Sequence, residues 1–318
     1  MKNRRQTLIR FLIPFGLSTV LLSLLIYQVD GTAILASLKK SRLHLLVLAV
    51  IISLLINIFA GALKWRRILS ALGCRLPFYE VLSIRTGCIP FKIVFPMKSS
   101  ELLKAVYLSR RGHLSFTRSV SSLALDKILN LFVVICVALI GLILTDTPLP
   151  RLIPVLLFLL MAPLLFSKQL PGFLVRLVKR IHPGLAGVTD NLASAFQTIS
   201  FSEKLILLAW SVLYQASEFL NTFILLKAAG VAIPPATLMM TVPLIMIITN
   251  LPITILGLGT REAAIIFFFA AHGPPAALLS GSILISLVEH VLPVLAGLLF
   301  MRSFYRLFSL KKELTRTE

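Results

Sequence analysis

Charged residues are scarce in this 318-residue chain, and acidic residues are the scarcest. Charged side chains make up 14% of the sequence and hydrophobic ones 58%, and the mean hydropathy is +0.95. A soluble globule of this length needs far more polar surface to face water. The composition therefore excludes a soluble protein and predicts an integral membrane protein.

The shortage of acid leaves 12 Asp and Glu against 32 Lys and Arg, a formal net charge of +20. In a soluble chain such an excess suggests nucleic acid as a partner. In a membrane chain its ordinary source is basic segments that flank the spans and face the cytoplasm and anionic lipid. We therefore expect no nucleic-acid partner, and a protein of the cell inner membrane with both termini in the cytoplasm.

Familiar catalytic and metal-binding motifs are also missing. The sequence has no GxxxxGKS phosphate loop, no HExxH and no ligand spacing among its five histidines. Its three cysteines, Cys74, Cys88 and Cys136, have neither a metal spacing nor the even count of a disulfide framework. We expect no enzymatic activity, no metal and no cofactor, and a binding or translocation function in the membrane instead.

Long apolar runs, by contrast, recur along the chain, and about 20 residues suffice to span the hydrocarbon core. The first run follows a basic N-terminus and is predicted as a retained helix, because it is too long for a signal-peptide core. The sequence Lys64-Trp65-Arg66-Arg67 after the second run is predicted to anchor it at the lipid headgroups. The predicted spans are 8–27, 45–63, 120–144, 152–166, 205–226 and 276–301.

Two further apolar segments, 78–101 and 236–272, depart from the pattern of an ordinary span. Prolines, glycines and charges interrupt both of them, and the second includes the pair Arg261-Glu262. Such backbone is tolerated at membrane depth only inside protein or beside a wet cavity, because lipid cannot hydrogen-bond the freed groups. We predict two broken or re-entrant elements that line a cavity. Two kinked helices packed in a bundle are the simpler alternative.

The predicted order of these elements indicates an internal symmetry. Two helices precede each broken element and one follows it, and the two elements should enter from opposite faces. This is the pattern of an inverted-topology repeat, which in transporters places a binding site near the bilayer midplane. The chain is thus predicted to be all-α, a polytopic helical bundle in one domain, 1–318, with inverted halves of about 1–144 and 152–301 and a basic cytoplasmic tail, 302–318.

Polar residues recur at helical spacing on four of the predicted helices, so that each set shares one face. Three sets contain a carboxylate, namely Asp126, Glu218 and Glu289. An ionised Asp at the centre of a membrane helix costs roughly 2.5–3.5 kcal/mol on insertion scales, so these acids should face one another, a base or water. Structural ion pairs are an alternative role for some of them. Glu289-His290 is a candidate proton relay, although adjacent residues point to different faces of an α-helix, which favours a buried hydrogen-bonded pair.

One basic stretch carries a family resemblance. Residues 100–112, SELLKAVYLSRRG, are similar to the GE..K..YL.RRG signature of the flippase-like membrane region of lysylphosphatidylglycerol synthetases. Lys64-Trp65-Arg66, Asp126-Lys127 and the segment 257–264, GLGTREAA, fall in the expected order around it, and the resemblance covers essentially the whole chain. The chain departs from the family at Lys98-Ser99-Ser100, where a glycine-rich stretch is usual, and it is expected to be a standalone form without the cytosolic aminoacyl-transfer domain.

The resemblance implies a protein that moves an anionic or aminoacylated phospholipid, or a lipid-linked product, between leaflets. The expected partner is a membrane phospholipid or polyprenyl-linked lipid, and a lipid-modifying enzyme encoded separately is a further candidate. An accessory subunit of a polyprenyl-phosphate-dependent glycosyltransferase and a non-transporting scaffold are the alternatives. Arg85, Lys92 and Arg261 are expected to meet the lipid phosphate. The full set of residues predicted to bind the headgroup is Arg85, Lys92, Glu101, Lys104, Asp126, Lys127, Glu218, Asn250, Arg261, Glu262 and Glu289.

Overall fold

The computed structural model describes residues 2–94, 101–145, 152–167, 170–181, 186–250 and 253–314. Within these ranges all of the regular secondary structure is helical, and the predicted all-α class is confirmed. The elements up to residue 145 are α1 (Lys2–Val29), α2 (Gly31–Lys39), α3 (Leu43–Ile52), a first π-helical segment (Ser53–Ala60), α4 (Gly61–Ala71), α5 (Phe78–Gly87), α6 (Phe91–Val94), α7 (Leu102–Arg110) and α8 (Phe116–Ile143).

The elements described in the second part of the chain are helical as well. They are α9 (Leu152–Phe166), α10 (Leu170–Ile181), α11 (Ala186–Thr198), α12 (Phe201–Ala228), α13 (Pro235–Asn250), a 3-10 turn (Ile255–Gly257), α14 (Thr260–Phe269), a second 3-10 turn (Ala270–His272), α15 (Pro275–Ser286), a second π-helical segment (Leu287–Val291) and α16 (Leu292–Leu314).

Several of these helical runs are long and apolar enough to cross a membrane. Among the described residues there are four such runs, and a fifth candidate is formed by Ile13–Val29 together with Gly31–Lys39, which are bent by 84° at their junction. Large apolar side chains such as Ile143, Phe267 and Leu299 are exposed on the outside, as lipid contact requires. The protein is a multi-pass membrane protein. The four runs are Leu43–Ala71, Phe116–Ile143, Ile255–His272 and Pro275–Arg302.

Some helices lie between the predicted spans. Helix α2 fills the predicted loop between the first two spans, because the Asp30 side chain accepts a 3.0 Å hydrogen bond from the Thr32 amide and caps a new helix at the bend. Helices α10 and α11 lie within the polar stretch 167–202. Helix α11 packs on α8, where the Ser121 hydroxyl donates to the Val188 carbonyl oxygen at 2.9 Å.

Both interrupted segments are broken within the described residues. Helix α5 ends after ten residues, about 15 Å, which is half of the hydrocarbon thickness. Helix α6 has only four residues, and Pro96 and Lys98 of the same segment lie outside the described residues. In the second segment α13 stops at Asn250 and α14 begins at Thr260, with Pro252 also outside the described residues. The inverted symmetry of the two segments stays a prediction.

Protein groups satisfy the backbone freed by the second break. The Ile255 amide donates to the Ser18 hydroxyl of α1 at 2.8 Å, and the Glu262 carboxylate accepts from the Gly259 amide. Gly259 has a φ of +88°, and a Cβ there would collide with Leu21 of α1, so glycine is required on both counts. Helix α1 therefore seals one side of the break from lipid.

Close helix contacts in the bundle depend on small residues. On α8, a Cβ at Gly141 would lie 2.5–2.9 Å from the backbone of Met239 and Met240 on α13, closer than real side chains approach. Gly16 on α1, by contrast, has open space around it. Small residues let membrane helices pack backbone to backbone, and the contact of α8 with α13 is of this kind.

We predict that Gly141→Leu destabilises the protein because it forces α8 and α13 apart. Overpacking of this kind costs about 1–3 kcal/mol, which should lower the melting temperature of the detergent-solubilised protein by several degrees. Gly16→Leu is the matched control and should leave the melting temperature unchanged. Equal melting temperatures for the two variants would contradict the proposed backbone contact.

Candidate functional site

A cavity of about 490 Å³ opens among the broken segments, α8, α12 and the second π-helical segment. Ten of the eleven predicted headgroup residues line it, and Glu262 does not. Arg85 and Arg261, one from each broken segment, thus face a common space. Apolar side chains complete the lining, among them Ile58, Ile89, Val242, Ile245, Met246 and Ile265.

Four basic residues from α5 to α8, which we call the cationic wall, are Arg85, Lys92, Lys104 and Lys127. Lys127 pairs with Glu101, with 3.0 Å between its Nζ and the carboxylate oxygen Oε1. Within the described part of the chain, no carboxylate oxygen lies within 4.0 Å of the other three cations. The cationic wall therefore carries more positive charge than its neighbouring acid balances.

Aromatic rings hold two of these unbalanced cations. The Lys104 ammonium lies 5.8 Å from the centre of the Trp65 ring, and the whole residue is only 8% exposed. The Arg85 guanidinium lies 5.8 Å from the centre of the Tyr214 ring on α12. The negative face of an aromatic ring attracts a cation without neutralising its charge. These rings thus position the two cations and leave their charges available.

Asp126 has a partner that sequence reasoning missed. The Lys64 Nζ lies 2.9 Å from Asp126 Oδ1 and also donates to the Asn130 side-chain oxygen. Lys64 is 2% exposed and Trp65 is 1% exposed, so the prediction of a headgroup anchor at these two residues is wrong. Residue spacing in the sequence could not reveal this ion pair, because Lys64 on α4 and Asp126 on α8 are 62 residues apart.

Arg261 and Glu262 are neighbours in sequence with separate surroundings. The Arg261 guanidinium donates to the Ser286 hydroxyl at 3.3 Å and lies 2.8 Å from His290 Nε2. Glu262 is 1% exposed and points away from the cavity, where it accepts from the hydroxyls of Ser286 and Ser282. The predicted contact of Glu262 with a headgroup is therefore replaced by a structural role, in which its carboxylate caps the first turn of α14.

Two carboxylates face the cavity from the second part of the chain, and we call Glu218 and Glu289 the acidic wall. Glu218 accepts a 3.0 Å hydrogen bond from the Gln215 side chain. Glu289 Oε1 is buried and has no hydrogen-bond partner among the described residues. In the same ranges, no basic side chain lies within 4.0 Å of either carboxylate. The cationic wall and the acidic wall thus contribute charges of opposite sign to one cavity, which Arg261 also lines.

A π-helical segment explains why Glu289 and His290 both reach the cavity. The sequence prediction placed these adjacent residues on different faces, as an α-helix would. The wider turn of the segment Leu287–Val291 reduces the angle between successive residues, and both side chains line the same space. Asn57 lies in the first π-helical segment and also lines the cavity, and the Ser53 hydroxyl joins the two segments by donating to the Val288 carbonyl oxygen at 3.3 Å.

Asn250 completes the predicted set at the C-terminal end of α13, where it too lines the cavity. The lining also contains polar residues absent from that set. Asn57, Asn130 and His290 belong to the sets of polar residues at helical spacing in the sequence, and that spacing was the available signal for them. Tyr214, Thr222, Thr249 and Thr254 are the other polar lining residues outside the predicted set.

Residues 11–297 match the family model described as the lysylphosphatidylglycerol synthase TM region. The chain belongs to this family. No curated protein matches the chain. Membership confirms the resemblance and associates this membrane domain with lipid modification or transport.

The motifs that carry the lysylphosphatidylglycerol synthase TM resemblance converge on the cavity. Glu101 and Lys104 from the signature stretch line it, as do Asp126 and Lys127. Gly257 and Arg261 from the segment 257–264 also line it, and Lys64 lies directly behind Asp126. Segments far apart in sequence thus supply one site.

We predict that Asp126→Asn strongly destabilises the protein, because it leaves the Lys64 ammonium buried without a counter-charge. Breaking a buried pair costs about 3–5 kcal/mol, whereas an exposed pair contributes about 0–1 kcal/mol. Glu203→Gln is the matched control, since it breaks the surface pair of Arg67 and Glu203, whose side chains are 45% and 24% exposed. Thermal unfolding in detergent measures both variants.

The double variant Lys64→Met with Asp126→Leu tests the cause of that loss. Replacing both charges by apolar groups removes the unpaired ammonium, so it should recover most of the stability lost in Asp126→Asn. An Asp126→Asn melting temperature as close to wild type as that of Glu203→Gln would refute the buried-pair interpretation.

Proposed function

We propose that this protein is a flippase or transporter of a phospholipid or lipid-linked intermediate, and that the cavity binds its anionic or aminoacylated headgroup. One observation carries the proposal: charged groups with no counter-charge within 4.0 Å among the described residues face a cavity among membrane helices in a chain of a lipid-associated family. Charge inside a membrane protein is costly and is a functional-site signal by default. The proposed role is transport and not catalysis.

The size and lining of the cavity support a headgroup as the ligand. A volume of about 490 Å³ lies within the range of ordinary small-molecule sites but cannot hold two acyl chains as well. The cationic wall offers donors to phosphate oxygens, and the acidic wall offers acceptors to an amine. The acyl chains would remain in the bilayer while the headgroup occupies the cavity.

The broken segments support movement of that headgroup between leaflets. Interrupted helices at the middle of a bundle are the element around which many transporters alternate their access. Helices α5 and α13 both end beside the cavity, so each break contributes side chains to it. We further propose the inner membrane as the location, with the basic termini in the cytoplasm, since basic flanks favour that side.

We predict that Arg261→Ala and Glu101→Ala abolish lipid transfer in reconstituted vesicles while the protein stays folded. Arg261→Ala removes the cation at the second break, and Glu101→Ala removes the acid that holds Lys127. Transfer is measured by the loss of protection of a fluorescent phospholipid from a membrane-impermeant quencher. Melting temperature and elution volume report on folding.

Lys227→Ala is the matched control, because Lys227 lies over the Phe223 ring at the end of α12 and does not line the cavity. It should transfer lipid at the wild-type rate. Wild-type rates in both cavity variants would reject the proposed function. Mass spectrometry of lipid that copurifies with the protein separates the alternatives, because a bound polyprenyl phosphate without transfer would favour an accessory subunit, and absence of any lipid would favour a scaffold.

A further inference from the structure

The cationic wall, its partner Glu101 and the neighbouring pair of Lys64 and Asp126 together contain five cations and two carboxylates. Lys64 is paired with Asp126 and Lys127 with Glu101, each at hydrogen-bond distance. These two pairs use both carboxylates. Arg85, Lys92 and Lys104 are left as three cations without a carboxylate within 4.0 Å in the described part of the chain.

These three cations line the cavity and are not dispersed over the surface. Lys104 is 8% exposed, and no described hydrogen-bond acceptor reaches its ammonium. Burying an ammonium without an acceptor is expensive, whether or not its charge is partly screened by nearby acids. Three cationic hydrogen-bond donors therefore face a single space, and no described carboxylate oxygen lies within 4.0 Å of any of them.

Arg261 does not belong to this group, although the sequence placed it with Arg85 and Lys92 around one phosphate. Its guanidinium is held by Ser286 and His290, and the Glu262 carboxylate accepts a 2.8 Å hydrogen bond from the same Ser286 hydroxyl. Arg261 thus has side-chain hydrogen-bond partners and reaches the Glu262 carboxylate through Ser286. Among the described cations that line the cavity, those without such a side-chain partner belong to the cationic wall.

We propose that Arg85, Lys92 and Lys104 form a subsite for a dianionic terminal phosphate, a phosphomonoester or diphosphate, at the end of a lipid. This inference rests on the proposed function and narrows its substrate class. A phosphodiester has two terminal oxygens and one negative charge. A phosphomonoester has three terminal oxygens and nearly two charges at neutral pH, so it offers one oxygen to each of the three cationic donors and balances two of their three charges.

The geometry of the donors agrees with this assignment. Arg85 presents a planar guanidinium that binds two phosphate oxygens at once, and the lysines present point charges. Rings and not carboxylates position Arg85 and Lys104, so no acid has to be displaced when the phosphate enters. A monoanionic headgroup would leave two of the three cations unbalanced.

Binding of short-chain lipids to the purified full chain in detergent tests the inference. Native mass spectrometry compares phosphatidic acid with phosphatidylglycerol of the same acyl chains. We expect phosphatidic acid to bind about tenfold more tightly. In Lys104→Gln and Arg85→Gln this preference should fall to about twofold or less, while the control Lys227→Gln keeps it. Lys92→Gln is the second variant if either of the first two fails to fold.

The outcomes separate this inference from the proposed function. Equal binding of the two lipids to wild-type protein would overturn the dianion subsite, even if vesicles still transfer phosphatidylglycerol. A preference for phosphatidic acid that survives in all of the folded cavity variants would also overturn it. Displacement of phosphatidic acid by equimolar inorganic diphosphate would overturn the lipid assignment in favour of a soluble phosphate. Preferential binding that is lost in the variants supports the subsite, whether or not transfer is then observed.

Discussion

The structure depends on one constraint, that backbone and charge placed among membrane helices must be satisfied by protein or by water. The second break illustrates the backbone side of it. Its freed amides are taken by the Ser18 hydroxyl from α1 and by the Glu262 carboxylate from α14. These contacts close the break toward lipid, and Gly257 and Arg261 line the cavity from the same segment. A cavity can exist beside this break because protein groups satisfy the backbone on its outer side.

The charges follow the same constraint in two different ways. Lys64 with Asp126 and Lys127 with Glu101 form pairs that balance charge locally and tie α4 and α7 to α8. The remaining cations and the acidic wall are unpaired at contact distance within the described residues. Unbalanced charge is tolerated in proteins mainly where function requires it. Paired and unpaired charges are therefore found on different residues of one cluster.

The sequence could predict the membrane class, both breaks and ten of the residues that line the cavity, because polar groups and prolines in apolar runs are too costly to occur without a structural reason. It could not predict partners. The Lys64–Asp126 pair is a tertiary contact, and the cap formed by Glu262 depends on where α14 begins. The prediction from the sequence assumed the α-helical period of 3.6 residues, which does not hold in a π-helical segment. The shared orientation of Glu289 and His290 was therefore missed.

Two members of the cationic wall, Arg85 and Lys104, are positioned by groups that carry no negative charge. The Arg85 guanidinium occupies the space that a Cβ at Gly61 would fill, and the Tyr214 ring lies on another side of it. Lys104 rests on Trp65, which is itself buried. Arg85 is fixed by shape and by an aromatic quadrupole, and Lys104 by an aromatic quadrupole, which orient these two cations without cancelling their charges. A carboxylate in place of the ring or of Gly61 would neutralise the cation that it positions. An aromatic ring, or a glycine that leaves room for the side chain, instead orders the cation and leaves its charge available to an anion.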